Sequence, residues 1–386
     1  MCGILLVARG VATISKLEAD QVYVVPLSER LSASDQTASL HRRGPDSWGI
    51  EQVVLGPVAN LQIQGSLLQL RGNTPGVTPV KDGHGSLLVL NGEVFGGLDI
   101  APGCSDSQAL LQALTAGKAP DVFNCLRGPW AAVYWHADTR TLWFGRDVLG
   151  RRSLLMHLPI SPDDCFCLVS AAAAALVANL DGKTWSAERS QGSQAADQSG
   201  AHEQEKSSMQ HSTLQELRPG LYSMHFPASE SAPMTAELKS ADRLAAQDAL
   251  LELMQFAPTR EWRLIQVDSS LEEVDQHRNW LLGLLHPSAT VMDLNIGTTS
   301  YEWYRSAARV VLLGHGADEQ HAGYGRHRTS FRNHGWTGLQ EELAIDMQRL
   351  WQRNLGRDDR LVADTSREAR HPFLDEDYIH ALIVID

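Results

Sequence analysis

The sequence predicts an α+β fold followed by an α/β one. Two observations carry this. Residues 1–180 read mostly as short apolar or alternating segments bounded by Gly, Pro, Asp or Asn, which is the pattern of strands. From about Met234 the texture changes to helix and strand in alternation, which predicts a parallel sheet covered by helices. A length of 386 residues is enough for two or three domains and at least one large core.

In order, the expected strands of the first part are Ile4–Ala8, Val22–Pro26, Gly49–Leu55, Leu61–Leu70, Ser86–Leu90, Ala131–Trp135, Leu142–Arg146, Ser153–Met156 and Cys165–Ser170. Two helices fall between or after them, Ser105–Leu114 with Ser105-Asp106 as its start signal, and Ala171–Leu180. A first domain is therefore expected over 1–185. Residues 186–212 are rich in Gln, Ser, Gly, Ala and charge and nearly lack aliphatic residues, the composition of a disordered insertion. Residues 213–233 are read as the last strand of the first domain, Leu221–Phe226, and a Pro/Ser/Ala-rich linker. The second domain, 234–386, is expected to hold helices Leu244–Phe256, Leu271–Leu285 and Leu339–Leu350 and strands Trp262–Val267, Ala289–Leu294 and Ala308–Leu313. No internal repeat is present.

Apolar content of 43% and charged content of 20% describe a soluble globular protein. A net charge of −13 argues against nucleic acid or an anionic membrane as the main partner, and the oligomeric state is not readable. Five cysteines, an odd number spread thinly, fit a reducing, cytoplasmic setting and no disulfide scaffold. Cys165-Phe-Cys167 has the wrong spacing for a zinc knuckle, so no metal site is expected there. The apolar run at the N-terminus lacks a basic leader, and no run of about 18 apolar residues predicts a membrane span.

Three stretches carry chemistry in the first part. Met1-Cys2-Gly3 places a cysteine at the N-terminus once Met1 is removed. Its thiol then shares one residue with an α-amine, whose ordinary pKa of roughly 7.7–8.0 suits a general base. The competing reading is a buried cysteine ahead of a core strand. Asn91-Gly92 sets a backbone N–H beside a side-chain amide, as an oxyanion hole requires, and is equally a common hairpin turn. Arg42-Arg43-Gly44-Pro45-Asp46 sits on a turn, and Arg71 follows a strand.

Taken together and in this order, these stretches resemble the class II glutamine amidotransferase domain. The resemblance implies an N-terminal nucleophile fold, an αββα sandwich, in which Cys2 attacks the carboxamide of glutamine and Asn91 with the Gly92 amide stabilises the oxyanion. It implies that Arg71 holds the substrate carboxylate, that Glu93 and Asp106 bind its α-ammonium, and that Arg43 and Asp46 brace the site. Arg146-Asp147-Val148-Leu149-Gly150-Arg151-Arg152-Ser153-Leu154 also matches this family.

Leu312-Leu313-Gly314-His315-Gly316-Ala317-Asp318-Glu319-Gln320, with Ser366 to Asp375, resembles the synthetase half of asparagine synthetases. That implies an ATP-pyrophosphatase-like domain using ATP and Mg²⁺, with Asp318 and Glu319 toward pyrophosphate and aspartate and Arg367 and Glu368 near aspartate. The family delivers the ammonia from glutamine to activated aspartate. Here the domain is read as incomplete. The Ser-Gly-Gly-x-Asp-Ser pyrophosphate loop is missing, and its nearest counterpart, Val267-Asp268-Ser269-Ser270, lacks the glycines that cradle phosphate. His315 replaces the family's glutamate, and chain is missing between about Met234 and Trp262 and between Gly297 and Tyr301. The expectation is an asparagine synthetase-like, glutamine-hydrolysing enzyme unable to adenylate aspartate alone. The alternatives are an interaction or regulatory protein that keeps the fold, or a shortened form of a complete synthetase-like protein.

Overall fold

The computed structural model describes residues 2–9, 39–72, 75–157, 165–171, 215–216, 241–262, 264, 271–287, 290–301 and 308–384. In chain order the first part contributes β1 (Gly3–Arg9), β2 (Ser47–Val54), β3 (Asn60–Leu67), β4 (Val80–Lys81), β5 (Leu87–Gly92), α1 (Asp106–Ala116), α2 (Ala119–Cys125), β6 (Trp130–His136), β7 (Thr141–Arg146), β8 (Leu155–His157), β9 (Phe166–Val169) and β10 (Gln215–Glu216). They form two antiparallel sheets, one ordered β10-β8-β9-β1-β3-β2 and the other β4-β5-β6-β7.

Strand alternation sorts the side chains into layers. On β5, Leu87 and Val89 point into the core between the sheets with Ile4, Leu6, Ile63, Val133 and Leu168. Leu88 and Leu90 point the other way, against Leu110, Leu111 and Leu114 of α1. Fully burying each such leucine is worth about 1.5–3 kcal/mol, so both faces of β5 are fixed by packing. Beyond the six-stranded sheet, Leu5, Leu155 and Val169 pack on Leu40, which lies in a helical stretch at 39–43. The result is a helix–sheet–sheet arrangement with further helical cover at 39–43. The expected elements Val22–Pro26, Ala171–Leu180 and Leu221–Phe226, and the segment 186–212, lie outside the described residues, Ala171 apart.

The described residues fall in two compact units, one within Met1–Tyr222 and Asp275–Asp386, the other within Ser223–Val274. The smaller unit holds α3 (Ala241–Phe256) and an exposed guanidinium–indole contact of Arg260 with Trp262, 4.7 Å to the ring centroid. Trp262–Val267, expected as a strand, lies mostly outside the described residues.

The later part of the chain is largely helical. It comprises α4 (Leu271–Leu285), α5 (Val291–Tyr301), β11 (Val310–Leu312), α6 (Ala317–Gln320), α7 (Gly325–Leu350), a π-helical turn at Trp351–Leu355, α8 (Gly356–Asp364), β12 (Glu368–Arg370), a 3-10 turn at Pro372–Leu374 and α9 (Glu376–Val384). Two expectations are corrected here. Of the run Ala289–Leu294, expected as a buried strand, Val291–Leu294 is instead the start of α5. Thr290 caps it, its hydroxyl accepting the Asp293 N–H at 3.1 Å while Asp293 accepts the Thr290 N–H at 3.1 Å. The helix-covered parallel sheet is, among the described residues, one parallel pair, β11 with β12. With so little sheet to shelter it, Leu312 of β11 is 69% exposed, where a buried strand was expected.

Helix α8 joins this part to the first part of the chain, and all nine of its residues are buried, five of them charged. Each charge is met: Arg357 by Asp293 and Asp358, Asp358 by His315, Asp359 by Arg43, Arg360 by the Ser153 hydroxyl, and Asp364 by Arg42. Burial of so many charges is tolerable only with partners in place.

Candidate active site

Gly3 explains why Cys2 is followed by glycine. A Cβ there would lie 2.6 Å from both Leu40 Cδ2 and Ser66 Oγ, so the strand passes too close to its neighbours for a side chain. Cys2 itself is buried at the mouth of β1. Burial pushes its thiol up from the usual value, while the positive N-terminus and the Leu68 N–H oppose that rise.

The Cys2 backbone N donates to Asn91 Oδ1 at 3.1 Å. This fixes the carboxamide, and among the described residues the buried Asn91 Nδ2 has no hydrogen-bond partner. A buried amide donor without an acceptor costs about 1–3 kcal/mol, so such a group calls for an explanation. Gly92 adopts φ +152°, and a Cβ there would sit 2.1 Å from the Pro129 carbonyl oxygen, so only glycine fits. Trp130, opposite Gly92 on β6, donates its backbone N–H to Asp147 Oδ2, and its C=O accepts the Asp147 N–H. Asn91, which the sequence singles out with Gly92, thus lies against the Cys2 backbone nitrogen.

Arg71 Nη1 donates to the Val94 carbonyl at 3.1 Å and to Asp106 Oδ1 at 2.5 Å. Asp106 opens α1, but Ser105 is the cap, accepting the Gln108 N–H, so the Asp106 carboxylate is left for Arg71. Burial raises the Asp106 carboxyl above the ordinary range, and Arg71 only partly opposes this. Glu93 is buried, and both its oxygens accept from Arg370 of β12, at 2.8 Å each. One continuous run of chain and hydrogen bonds therefore connects Cys2, Asn91, Gly92, Glu93, Arg71 and Asp106. The remaining turn residues serve it from behind. Buried Arg43 donates to the Cys2 carbonyl at 3.4 Å and to Asp359 at 3.0 Å, and Asp46 accepts the Gln69 N–H at 2.7 Å and pairs with Arg309.

The other four sequence-derived residues are not gathered. Strands β11 and β12 are parallel, so Asp318 and Glu319 follow the C-terminal end of the pair while Arg367 and Glu368 enter at its N-terminal end. Glu319 accepts the Gly316 N–H at 3.0 Å and the Tyr324 hydroxyl at 2.7 Å, which closes its own turn. Glu368 pairs with Arg152, and Arg367 donates to the Thr365 carbonyl. Mg²⁺ needs open carboxylate oxygens, and both of Glu319's are engaged. Among the described residues no group of three His, Cys, Asp or Glu is placed to hold a metal. As placed, these four residues do not fit ATP·Mg²⁺.

Sequence reasoning missed Arg370, Asp359 and a partly buried cluster in which His315 bonds Asp358 at 2.7 Å and faces His371 at 3.3 Å. Glu368-Ala369-Arg370 carried a usable signal, since alternate residues of a strand share a face and both charges reach the first part of the chain. For Asp359, 316 residues from Arg43, no local signal exists.

Among the described residues no helix is long and apolar enough to cross a membrane, and no disulfide joins the five cysteines. A family model for the glutamine amidotransferase domain matches residues 81–177. Asparagine synthetase domain-containing protein 1 of Mus musculus is 24% identical, over 90% of this chain and 86% of that protein. The Bos taurus protein of that name is 26% identical, over 90% of this chain and 84% of its own. The Homo sapiens one reaches 40% over 157 residues, 36% of this chain and 24% of that protein. Over about nine-tenths of its length the chain is thus a homologue of the asparagine synthetase domain-containing proteins, with a glutamine amidotransferase domain.

Proposed function

We propose that this chain hydrolyses glutamine to glutamate and ammonia at Cys2, in the manner of an asparagine synthetase-like amidotransferase. The observation that carries the reading is the buried Asn91 Nδ2, unpartnered among the described residues, beside the glycine-only Gly92, with Asn91 Oδ1 bound to the Cys2 nitrogen.

On removal of Met1 that nitrogen becomes an α-amine. It takes the thiol proton as sulfur attacks the carboxamide carbon, and Asn91 Nδ2 with the Gly92 N–H holds the resulting oxyanion. Collapse breaks the C–N bond, the ammonium returns its proton to the leaving nitrogen, and ammonia departs from a thioester. The amine then deprotonates water, which attacks the thioester and frees glutamate and thiol. Glutamine binds as a zwitterion by opening the Arg71–Asp106 pair: its carboxylate takes the guanidinium fork and its ammonium takes Asp106, with the Glu93 charge close behind. Arg71 is the half-exposed member of the pair, so the exchange starts from solvent. Segment 186–212 takes no part on this reading.

The test is glutamate release by the purified chain, with and without aspartate and ATP, against Cys2→Ala. A chain with its initiator methionine removed and no release of glutamate would end the proposal.

A second reading concerns residues 308–384 only. Glu319 and Glu368 are engaged in holding the fold together, which favours a bracing or regulatory part over synthesis of asparagine. The alignments with the Mus musculus and Bos taurus proteins run over 543 and 546 positions, more than the 386 residues here, so those relatives carry segments this chain lacks. This supports a shortened form of a synthetase-like protein. ATP–pyrophosphate exchange dependent on aspartate would refute the bracing reading.

A further inference from the structure

We infer that Arg370 is a positioning residue of the Cys2 site, acting through Glu93 on the Asn91–Gly92 donor pair; this rests on the glutaminase reading. Glu93 directly follows Gly92, and three contacts hold it. Its N–H donates to the Pro129 carbonyl at 2.9 Å, and its two carboxylate oxygens each accept from the Arg370 guanidinium at 2.8 Å. A two-point fork fixes direction as well as distance, which a single charge does not. The Glu93 side chain is 7% exposed, so without Arg370 its carboxylate would be a buried charge and would move toward water. Gly92 has no room to absorb such a movement, because its φ of +152° and its approach to Pro129 leave one backbone arrangement.

Arg370 is itself well placed to act as a fixed post. It ends β12, pairs in register with Leu312 of β11, and its carbonyl accepts the Leu313 N–H at 2.8 Å. Two residues earlier on the same strand, Glu368 bonds Arg152. The strand that the sequence assigns to a synthetase site therefore completes the glutaminase site. On this account the later part of the chain is needed for hydrolysis of glutamine even where it makes no asparagine.

The test uses full-length chain with Arg370→Gln, Arg370→Lys and, as control, Asp377→Asn, which removes an exposed ion pair to Arg127 elsewhere between the same two segments. Arg370→Gln should lower kcat for glutamate release about 10²-fold, the scale of a misplaced reacting group, with KM changed less than about threefold. Arg370→Lys should recover part of the loss, and Asp377→Asn should match wild type. A second readout does not depend on turnover: the pH profile of Cys2 alkylation by iodoacetamide, which should shift in Arg370→Gln and not in Asp377→Asn, since Asn91 bonds the Cys2 nitrogen. Wild-type kcat in folded Arg370→Gln, a loss confined to KM, or an unchanged alkylation profile would each overturn the inference. If Arg370→Gln does not fold, the same comparison is made with Arg370→Lys. If wild type releases no glutamate, the glutaminase reading fails on its own, and the alkylation profile alone decides whether Arg370 acts on this site.

Discussion

Replacing Asp359 by alanine leaves the Arg43 guanidinium in the interior without its anion and takes from Arg152 one of its two, Glu368 being the other. The Arg43 and Asp359 side chains are both 0% exposed and 3.0 Å apart, and Arg152, also fully buried, lies 3.5 Å from the other carboxylate oxygen. The Ser153 N–H donates to Asp359 as well, at 3.1 Å. Breaking a buried pair by removing one partner costs about 3–5 kcal/mol, because the remaining charge is neither solvated nor matched. Against a typical total stability of about 5–15 kcal/mol this is a large share. Urea unfolding followed by tryptophan fluorescence measures it directly, with an unchanged slope expected and the midpoint moved down. The consequence reaches Cys2, because Arg43 also donates to the Cys2 carbonyl. Arg43→Met combined with Asp359→Leu should cost less than Asp359→Ala alone, since it removes the stranded charge on one side. A loss below about 1 kcal/mol for Asp359→Ala would show that water or rearrangement satisfies the guanidiniums, and the account of α8 as the join would fall.

Three further outcomes follow from the geometry. Gly92→Ala should lower kcat about 10²–10³-fold, because its Cβ would meet the Pro129 carbonyl and displace the N–H; steady-state glutamate release checks this. Burial holds Asp106 above the ordinary carboxylate range, so KM for glutamine should rise as pH falls through that raised value, and Asp106→Asn should abolish the dependence. In stability the same shift has the opposite sense, favourable at low pH and lost as pH rises through the folded value. Burial alone would raise the Asp358 carboxyl, but His315 and Arg357 outweigh it and hold it low. Its contribution is therefore present above the unfolded pKa of about 3.9 and lost as pH falls through the folded value, and Asp358→Asn should flatten the acid limb of stability.

The first part of the fold was legible because strand alternation and turn residues are local signals. Ile4–Ala8, Ser86–Leu90 and Ala131–Trp135 fall within β1, overlap β5 and fall within β6, and Ser105 caps α1 as its sequence suggests. Ala289–Leu294 failed because a short apolar run suits helix and strand alike, and the Thr290-x-x-Asp293 start signal was the feature that decides. Around the candidate site, Cys2, Asn91 and Gly92 were singled out by residue type and order, and the structure brings Asn91 to the Cys2 nitrogen. The partners that hold them were not: Arg370 is 277 residues from Glu93, and pairs so distant depend on how the finished fold brings β12 to β5. The parallel sheet was over-read, because alternation of helix and strand says nothing of how many strands find a partner.

The central claim is that Cys2 turns over glutamine, and one measurement bears on it most directly: glutamate released from glutamine by the full-length chain, its mass showing Met1 removed, beside Cys2→Ala. The account predicts steady release by the first and release at or near background by the second. Equal release from both, or none from the processed, folded chain, would contradict it.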